Sequence, residues 1–299
     1  MSEDLPTLLR PIKAYSGLSG FGHLSTEGLL IRYAAAIISI KAKITCLYLC
    51  RRMKEFPHDS IKPFSAENSK KEQVSSMFNS IAKRYDLVNR VLSAGIDPVW
   101  RKKAINCFKS DRLHLLLDVA TGTGDMAIRA AKMLKVHKII GIDISDAMLE
   151  VGREKVEKEH FGSKIELVSG DSETINFPDN SFDGVMVAFG VRNFERLEKG
   201  LGEILRVMKP GARLVVLEFS QPVVPGVKQL YGWYMGSLAP MVASWFKQNK
   251  KAYQYLNKSA KAFPDREAFV TILKNVGYSD TSFKPLSLGI CCIYEGRKR

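Results

Sequence analysis

Cysteine is scarce, with five in 299 residues, at positions 46, 50, 107, 291 and 292. That number cannot frame a dense disulfide scaffold, and no paired CxxC or Cys/His set offers structural zinc, so no metal site is expected. A reducing compartment, the cytoplasm, fits this usage. Long apolar runs are missing too. Leu29 to Cys50 is apolar but broken by Arg32, Lys41 and Lys43, and its longest uncharged run is Tyr33 to Ile40. That is far below the roughly 20 residues of a spanning helix. A secretory signal is not expected, since Glu3 and Asp4 stand at the start of the sequence and no small-residue cleavage site follows a clean apolar stretch. No internal repeat or low-complexity tract is present, and 45% hydrophobic with 25% charged residues is an ordinary globular composition.

The net charge of +14 is unevenly spread. Residues 1–110 hold 18 Lys/Arg against 9 Asp/Glu, residues 111–222 hold 15 against 18, and residues 223–299 hold 12 against 4. Basic flanks around a mildly acidic middle attract either nucleic-acid phosphates or an anionic membrane surface. Residues 1–62 differ from the rest and read as an amino-terminal extension. An interfacial amphipathic helix and a start of translation at Met53 are the two alternatives left for it.

From Leu113 onward, strand-length apolar bursts alternate with helix-length amphipathic segments, which predicts parallel strands joined by helical crossovers. Strands are expected at Leu113–Val119, Lys138–Ile142, Ile165–Val168, Phe182–Ala188, Arg213–Phe219 and Leu288–Gly296. Helices are expected at Asp125–Leu134, Asp146–Lys158, Arg196–Met208 and Pro264–Val276, the third closed by Lys209-Pro210-Gly211. The fold class is therefore α/β, a doubly wound, mostly parallel sheet. Ligands are expected at the carboxyl ends of its strands. A helical insertion over residues 221–263 carries Tyr231, Trp233, Tyr234, Trp245, Phe246, Tyr253 and Tyr255.

The first strand runs into Asp118-Val119-Ala120-Thr121-Gly122-Thr123-Gly124-Asp125. Glycine belongs where a strand turns sharply into a helix under a closely approaching ligand. Gly122-x-Gly124-x-x-Ala127 also fits a dinucleotide fingerprint. A pyrophosphate there, however, would meet the carboxylates of Asp118 and Asp125. S-adenosylmethionine, a sulfonium without phosphate, suits an acidic glycine loop. Asp143 ends the second strand, nineteen residues after Gly124, where a carboxylate can accept both ribose hydroxyls. The third strand delivers Asp171-Ser172, with Asp171 placed to accept from an adenine amino group.

These residues, from about Phe64 to Lys298, resemble the ubiquinone/menaquinone biosynthesis C-methyltransferases, which are class I adenosylmethionine enzymes. The likeness rests on Tyr85-Asp86-Leu87-Val88-Asn89 with Leu92-Ser93 and Trp100, on Phe189-Gly190-Val191-Arg192-Asn193, and on Arg206-Val207-Met208-Lys209-Pro210-Gly211 leading to Leu217-Glu218-Phe219-Ser220. Ala252-Tyr253-Gln254-Tyr255-Leu256 and Phe263-Pro264-Asp265-Arg266-Glu267 extend it. The resemblance implies a Rossmann-like methyltransferase domain over 63–299 with a helical amino-terminal segment and 221–263 as a lid. It implies cofactor contacts at Thr123, Asp143, Asp171 and Ser172, beside Gly122, Gly124 and Asp118 of the loop. Ala188 stands where many relatives have serine; Val88, Asp97, Ala212 and Asn257 replace the usual Met, His, Gly and Pro.

The implied reaction methylates a ring carbon of a prenylated quinol, with demethylmenaquinol as the expected acceptor and a ubiquinone-pathway benzoquinol as the alternative. Phenols ionise near pH 10, so a charge or base beside the quinol oxygen is needed. Arg192 is expected to stabilise the quinolate, Asn193 to orient it and Tyr85 to line the acceptor pocket. A salt bridge to a local acid is the competing role for Arg192. None of the five histidines falls in a matching motif. The aromatics of 221–263 could build a prenyl channel, and Lys228, Lys247, Lys250, Lys251, Lys258 and Lys261 could rest transiently on anionic headgroups at the inner face of the membrane. A nucleic-acid partner is disfavoured because Ala188-Phe189-Gly190-Val191 stands where base-amine methyltransferases carry Asn/Asp-Pro-Pro-aromatic. A nicotinamide oxidoreductase, a noncatalytic lipid-binding protein and a homo-oligomer stay open as alternatives.

Overall fold

The computed structural model describes residues 56–64, 68–234 and 250–299. The expectations for residues 1–52, and those for Trp245, Phe246 and Lys247, lie outside the described residues. Seven strands form one sheet in the order β3-β2-β1-β4-β5-β7-β6. They are β1 (Leu115–Val119), β2 (Lys138–Asp143), β3 (Ile165–Ser169), β4 (Phe182–Ala188), β5 (Met208–Phe219), β6 (Ser279–Leu286) and β7 (Cys291–Arg297). The first five pair in parallel, and β7 runs antiparallel to both β5 and β6.

Because both faces of the sheet are covered, the central strands are apolar on both sides. Along them, alternate side chains enter opposite cores: Leu116, Ile139, Met186 and Val215 one, Leu117, Ile140, Val185 and Val216 the other. The first layer is closed by α1 (Lys70–Ile81), α3 (Asp97–Asn106), α4 (Asp125–Met133) and α5 (Asp146–Lys158), with α2 (Tyr85–Leu92) beside them. The second is closed by α6 (Leu197–Val207) and α9 (Glu267–Val276). Of the insertion, α7 (Pro225–Trp233) and α8 (Lys250–Ala262) are described. Among the described residues, no helix is long and apolar enough to cross a membrane.

The last strand starts at Cys291 rather than Leu288, which lies in a 3-10 turn, the last helix starts at Glu267 rather than Pro264, and two larger features also differ from the sequence expectation. Strand β5 begins at Met208, five residues before Arg213, so Lys209-Pro210-Gly211 starts a strand. Gly211 sits there at φ +78°. Strand β6 was not anticipated: Ser279-Asp280-Thr281-Ser282 reads as polar, and Pro285 argues against a strand except at an edge, where β6 lies.

The register brings the functional loops together. Val119 lies opposite Ile142 on one side and Val187 on the other, and Asp143 lies opposite Ser169. The loops after β1, β2, β3 and β4 therefore leave the sheet at one edge, where chain order reverses between β1 and β4. Such a switch point is where an open α/β sheet opens a crevice.

Candidate active site

At that edge lies a cleft enclosing about 620 Å³, counting its open mouth, lined on the sheet side by Gly122, Asp143, Asp171, Ser172, Phe189 and Asn193. Opposite, α1 contributes Lys71, Val74 and Phe78, and α2 contributes Tyr85. Gly122 adopts φ +57° and Gly124 φ +75°, so the turn uses the left-handed backbone that glycine allows.

The charged side chains on the lining are Asp143, Asp171, Glu173, Glu195 and Lys71. Four carboxylates against one ammonium disfavour a pyrophosphate and suit a cationic ligand. This field has a different source from the one expected. Asp118 is buried under the loop at 1% exposure and accepts from Thr121 Oγ1 at 2.7 Å; burial raises its carboxyl to about 7. Asp125 is paired with Lys155, which also reaches Asp86 at 3.0 Å. Neither lines the cleft.

Asp143 does, and its orientation is fixed. Gly122 N donates to Oδ2 at 2.8 Å and Ser145 N to Oδ1 at 2.9 Å. Burial raises its carboxyl to about 6 despite these amides. A carboxylate has room for further donors beside them, so two vicinal hydroxyls fit. At Asp171, Oδ1 accepts from Glu173 N at 2.9 Å and Oδ2 from Lys71 Nζ at 2.5 Å. Lys71 was missed in the sequence because nothing local links a helix start to a loop a hundred residues later.

Several expected contacts stand one layer back. The Thr123 hydroxyl donates to Asp86 Oδ1 at 2.6 Å rather than facing the cleft, and Gly124 caps α4. Arg192 is the largest departure. Its side chain is fully buried, and Nη1 donates to Glu218 Oε1 at 2.5 Å and to the Phe189 carbonyl at 2.9 Å. The local salt bridge weighed against a contact with the acceptor is therefore what the fold makes. Burial works against this guanidinium, yet Glu218 holds it above its ordinary range. Nε and Nη2 have no partner among the described residues.

Asn193 and Tyr85 both line the cleft. Asn193 Oδ1 accepts from the Tyr255 hydroxyl at 3.2 Å, bringing α8 onto the loop after β4. In the sequence Tyr255 stands only as part of the Ala252–Leu256 motif, and nothing local to it points to Asn193. Burial pushes the Tyr85 phenol up, and its ring packs edge-on against Phe78 at 5.6 Å. Asp97 is buried and bonded by Ser93 at 3.0 Å and Arg101 at 3.5 Å, away from the cleft lining.

The profile of the ubiE/COQ5 methyltransferase family matches residues 66–298. A demethylmenaquinone methyltransferase of Bacteroides fragilis is 44% identical over 243 residues, 81% of this chain and 99% of that protein. A ubiquinone/menaquinone biosynthesis C-methyltransferase of Geobacter sulfurreducens is 41% identical over 230 residues, 77% of this chain and 90% of that protein. Among solved structures, a SAM-dependent methyltransferase from Thermotoga maritima superposes with TM-score 0.55 at 16% identity, covering 75% of this chain and 99% of that one; this shows the fold alone.

Proposed function

The chain belongs to the ubiE/COQ5 methyltransferase family, and from that premise we propose that it methylates a ring carbon of a prenylated quinol, with demethylmenaquinol as acceptor. The observation that carries this is one cleft lined both by the carboxylates of Asp143, Asp171, Glu173 and Glu195 and by the rings of Phe78, Tyr85, Phe189 and Phe194, which suits a cationic donor beside an aromatic acceptor. When bound, S-adenosylmethionine supplies an electrophilic methyl group on a positive sulfur. Asp143 would hold the ribose hydroxyls, and Asp171 and Ser172 the adenine end. Methyl transfer to carbon needs two partners held in line, so the chain's main contribution is positioning. Asn193 and Tyr85 would orient the acceptor by contact. Arg192, compensated by Glu218, would serve the quinolate through the loop it fixes.

We read the domain as residues 63–299, with 221–263 as a lid insertion whose Tyr255 donates to Asn193 of the cleft lining. Contact with a membrane surface is supported by that insertion: between Ser220 and Pro264 the sequence has six lysines and no Asp or Glu. Leu230 and Trp233 of α7 are exposed. Both features suit an anionic bilayer holding a prenylated substrate.

The test is to incubate the purified chain with S-adenosylmethionine and, separately, demethylmenaquinol and a demethylated benzoquinol, and to weigh the products by mass spectrometry. A methyl gain on the naphthoquinol is expected. A gain only on the benzoquinol would move the acceptor to the alternative, and none on either would refute the reading.

A further inference from the structure

Lys70, the first residue of α1, is an ammonium buried to 1% exposure with no carboxylate in ion-pair contact among the described residues. Its Nζ donates instead to three backbone carbonyls: His58 at 2.8 Å, Phe194 at 2.9 Å and Arg192 at 3.4 Å. An ammonium has three donors, so the set is complete. Two of these carbonyls flank Asn193, so a single buried charge holds the backbone on both sides of a cleft-lining side chain. The helix start adds a second tie, since Lys70 N donates to Glu195 Oε1 at 3.0 Å. The next residue, Lys71, reaches across to Asp171 at 2.5 Å. The beginning of α1 thus fastens to the loop after β4 through one lysine and to the loop after β3 through its neighbour.

We propose that Lys70 is a positioning residue for the acceptor: docking of α1 over the cleft delivers its ammonium to the carbonyls of Arg192 and Phe194, and that contact sets Asn193. The geometry stands by itself, while the consequence for turnover rests on the methyltransferase reading.

Burying a cation with only neutral partners is costly. Desolvation accordingly lowers Lys70 to about 8, partly offset by Asp59, Glu195 and Glu173. The remaining titratable neighbour is the His58 imidazole, held down to about 3 by burial and then by Lys70, and so neutral throughout the working range. The Arg192 side chain is engaged by Glu218. A lowered lysine keeps its charge below about pH 8 and loses one of three donated bonds as pH rises past it. The loop should therefore loosen on the alkaline side.

The test uses the full chain as wild type, Lys70→Met and Lys70→Arg, and reads amide hydrogen exchange over residues 190–195, calorimetric affinity for S-adenosylhomocysteine, and kcat against pH. For Lys70→Met we expect exchange in that loop to rise about tenfold or more while β1 and β4 stay protected. Affinity should stay within about threefold, and kcat should fall roughly a hundredfold, the scale of a misplaced reactant. Lys70→Arg should retain the slow exchange and move the alkaline limb upward, because arginine does not deprotonate there. Unchanged loop exchange in Lys70→Met would overturn the proposal, as would an equal rise across the whole sheet. If Lys70→Met does not fold, the wild type decides: loop exchange relative to β4, corrected for intrinsic rate, must rise between about pH 7 and 9, and a constant ratio overturns it. A wild type that shows the exchange pattern yet methylates no quinol would refute the functional reading and leave Lys70 standing.

Discussion

Asp143 and Asp118 are both buried carboxylates, yet only Asp143 faces the cleft. Raised carboxyl pKa values mean that the folded state binds protons the unfolded chain has released, so these groups oppose stability as pH rises from about 4 through about 6 and 7. One oxygen of Asp118 also has no hydrogen-bond partner among the described residues. We expect Asp118→Asn to raise the melting temperature at about pH 8 by several degrees, with the gain vanishing near pH 4, in a pair of thermal scans. Asp143→Asn should weaken S-adenosylhomocysteine by about 10- to 100-fold, the worth of charged hydrogen bonds. Wild-type affinity should itself decline as pH falls through about 6, where the carboxylate protonates. Arg192→Ala leaves the buried Glu218 carboxyl without its cation, with only the backbone amides of Phe219 and residue 192 beside it. That should cost about 3–5 kcal/mol in denaturant unfolding, and much less in the Arg192→Ala/Glu218→Ala double variant. The acids at strand ends were legible because each lies within two residues of the end of its strand in sequence. The Arg192–Glu218 partnership was not, since only the pairing of β4 with β5 brings the two together.

Helix α1 shows why some elements are more legible than others. Its start carries Ser69 and Glu72, whose side chains satisfy each other's backbone amides in a capping box. Its inward face, however, covers a cleft rather than a core alone, and no pattern within residues 70–81 reveals that. Since Lys71, Val74 and Phe78 line the cleft, S-adenosylhomocysteine should slow hydrogen exchange across Lys70–Ile81. Exchange unchanged by saturating ligand would mean that the helix does not close on it. Strands β1, β2 and β4 were readable as apolar runs buried on both faces, and β3 as a shorter run that exposes Glu166 and Ser169. Strand β6, half exposed at the sheet edge, has the composition of a loop, and the early start of β5 hides behind a proline and a glycine that normally mark a turn.

Across the whole molecule, charge is segregated: a carboxylate-lined cleft sits in the acidic middle, and basic residues gather toward both ends. The two fields have separate uses, one for a cationic donor and one for an anionic surface. Flotation with vesicles containing anionic lipid should recover the chain at low salt and release it as ionic strength rises, with Leu230→Ser/Trp233→Ser weakening recovery at every salt concentration. No flotation at low salt would rule out the membrane contact while leaving the cleft chemistry intact. That chemistry is tested most directly by calorimetric titration of the chain with S-adenosylmethionine and, separately, with NADH. Saturable binding of the sulfonium and no heat from the dinucleotide are expected of four carboxylates facing one lysine; tight NADH binding with no uptake of the methyl donor would contradict it.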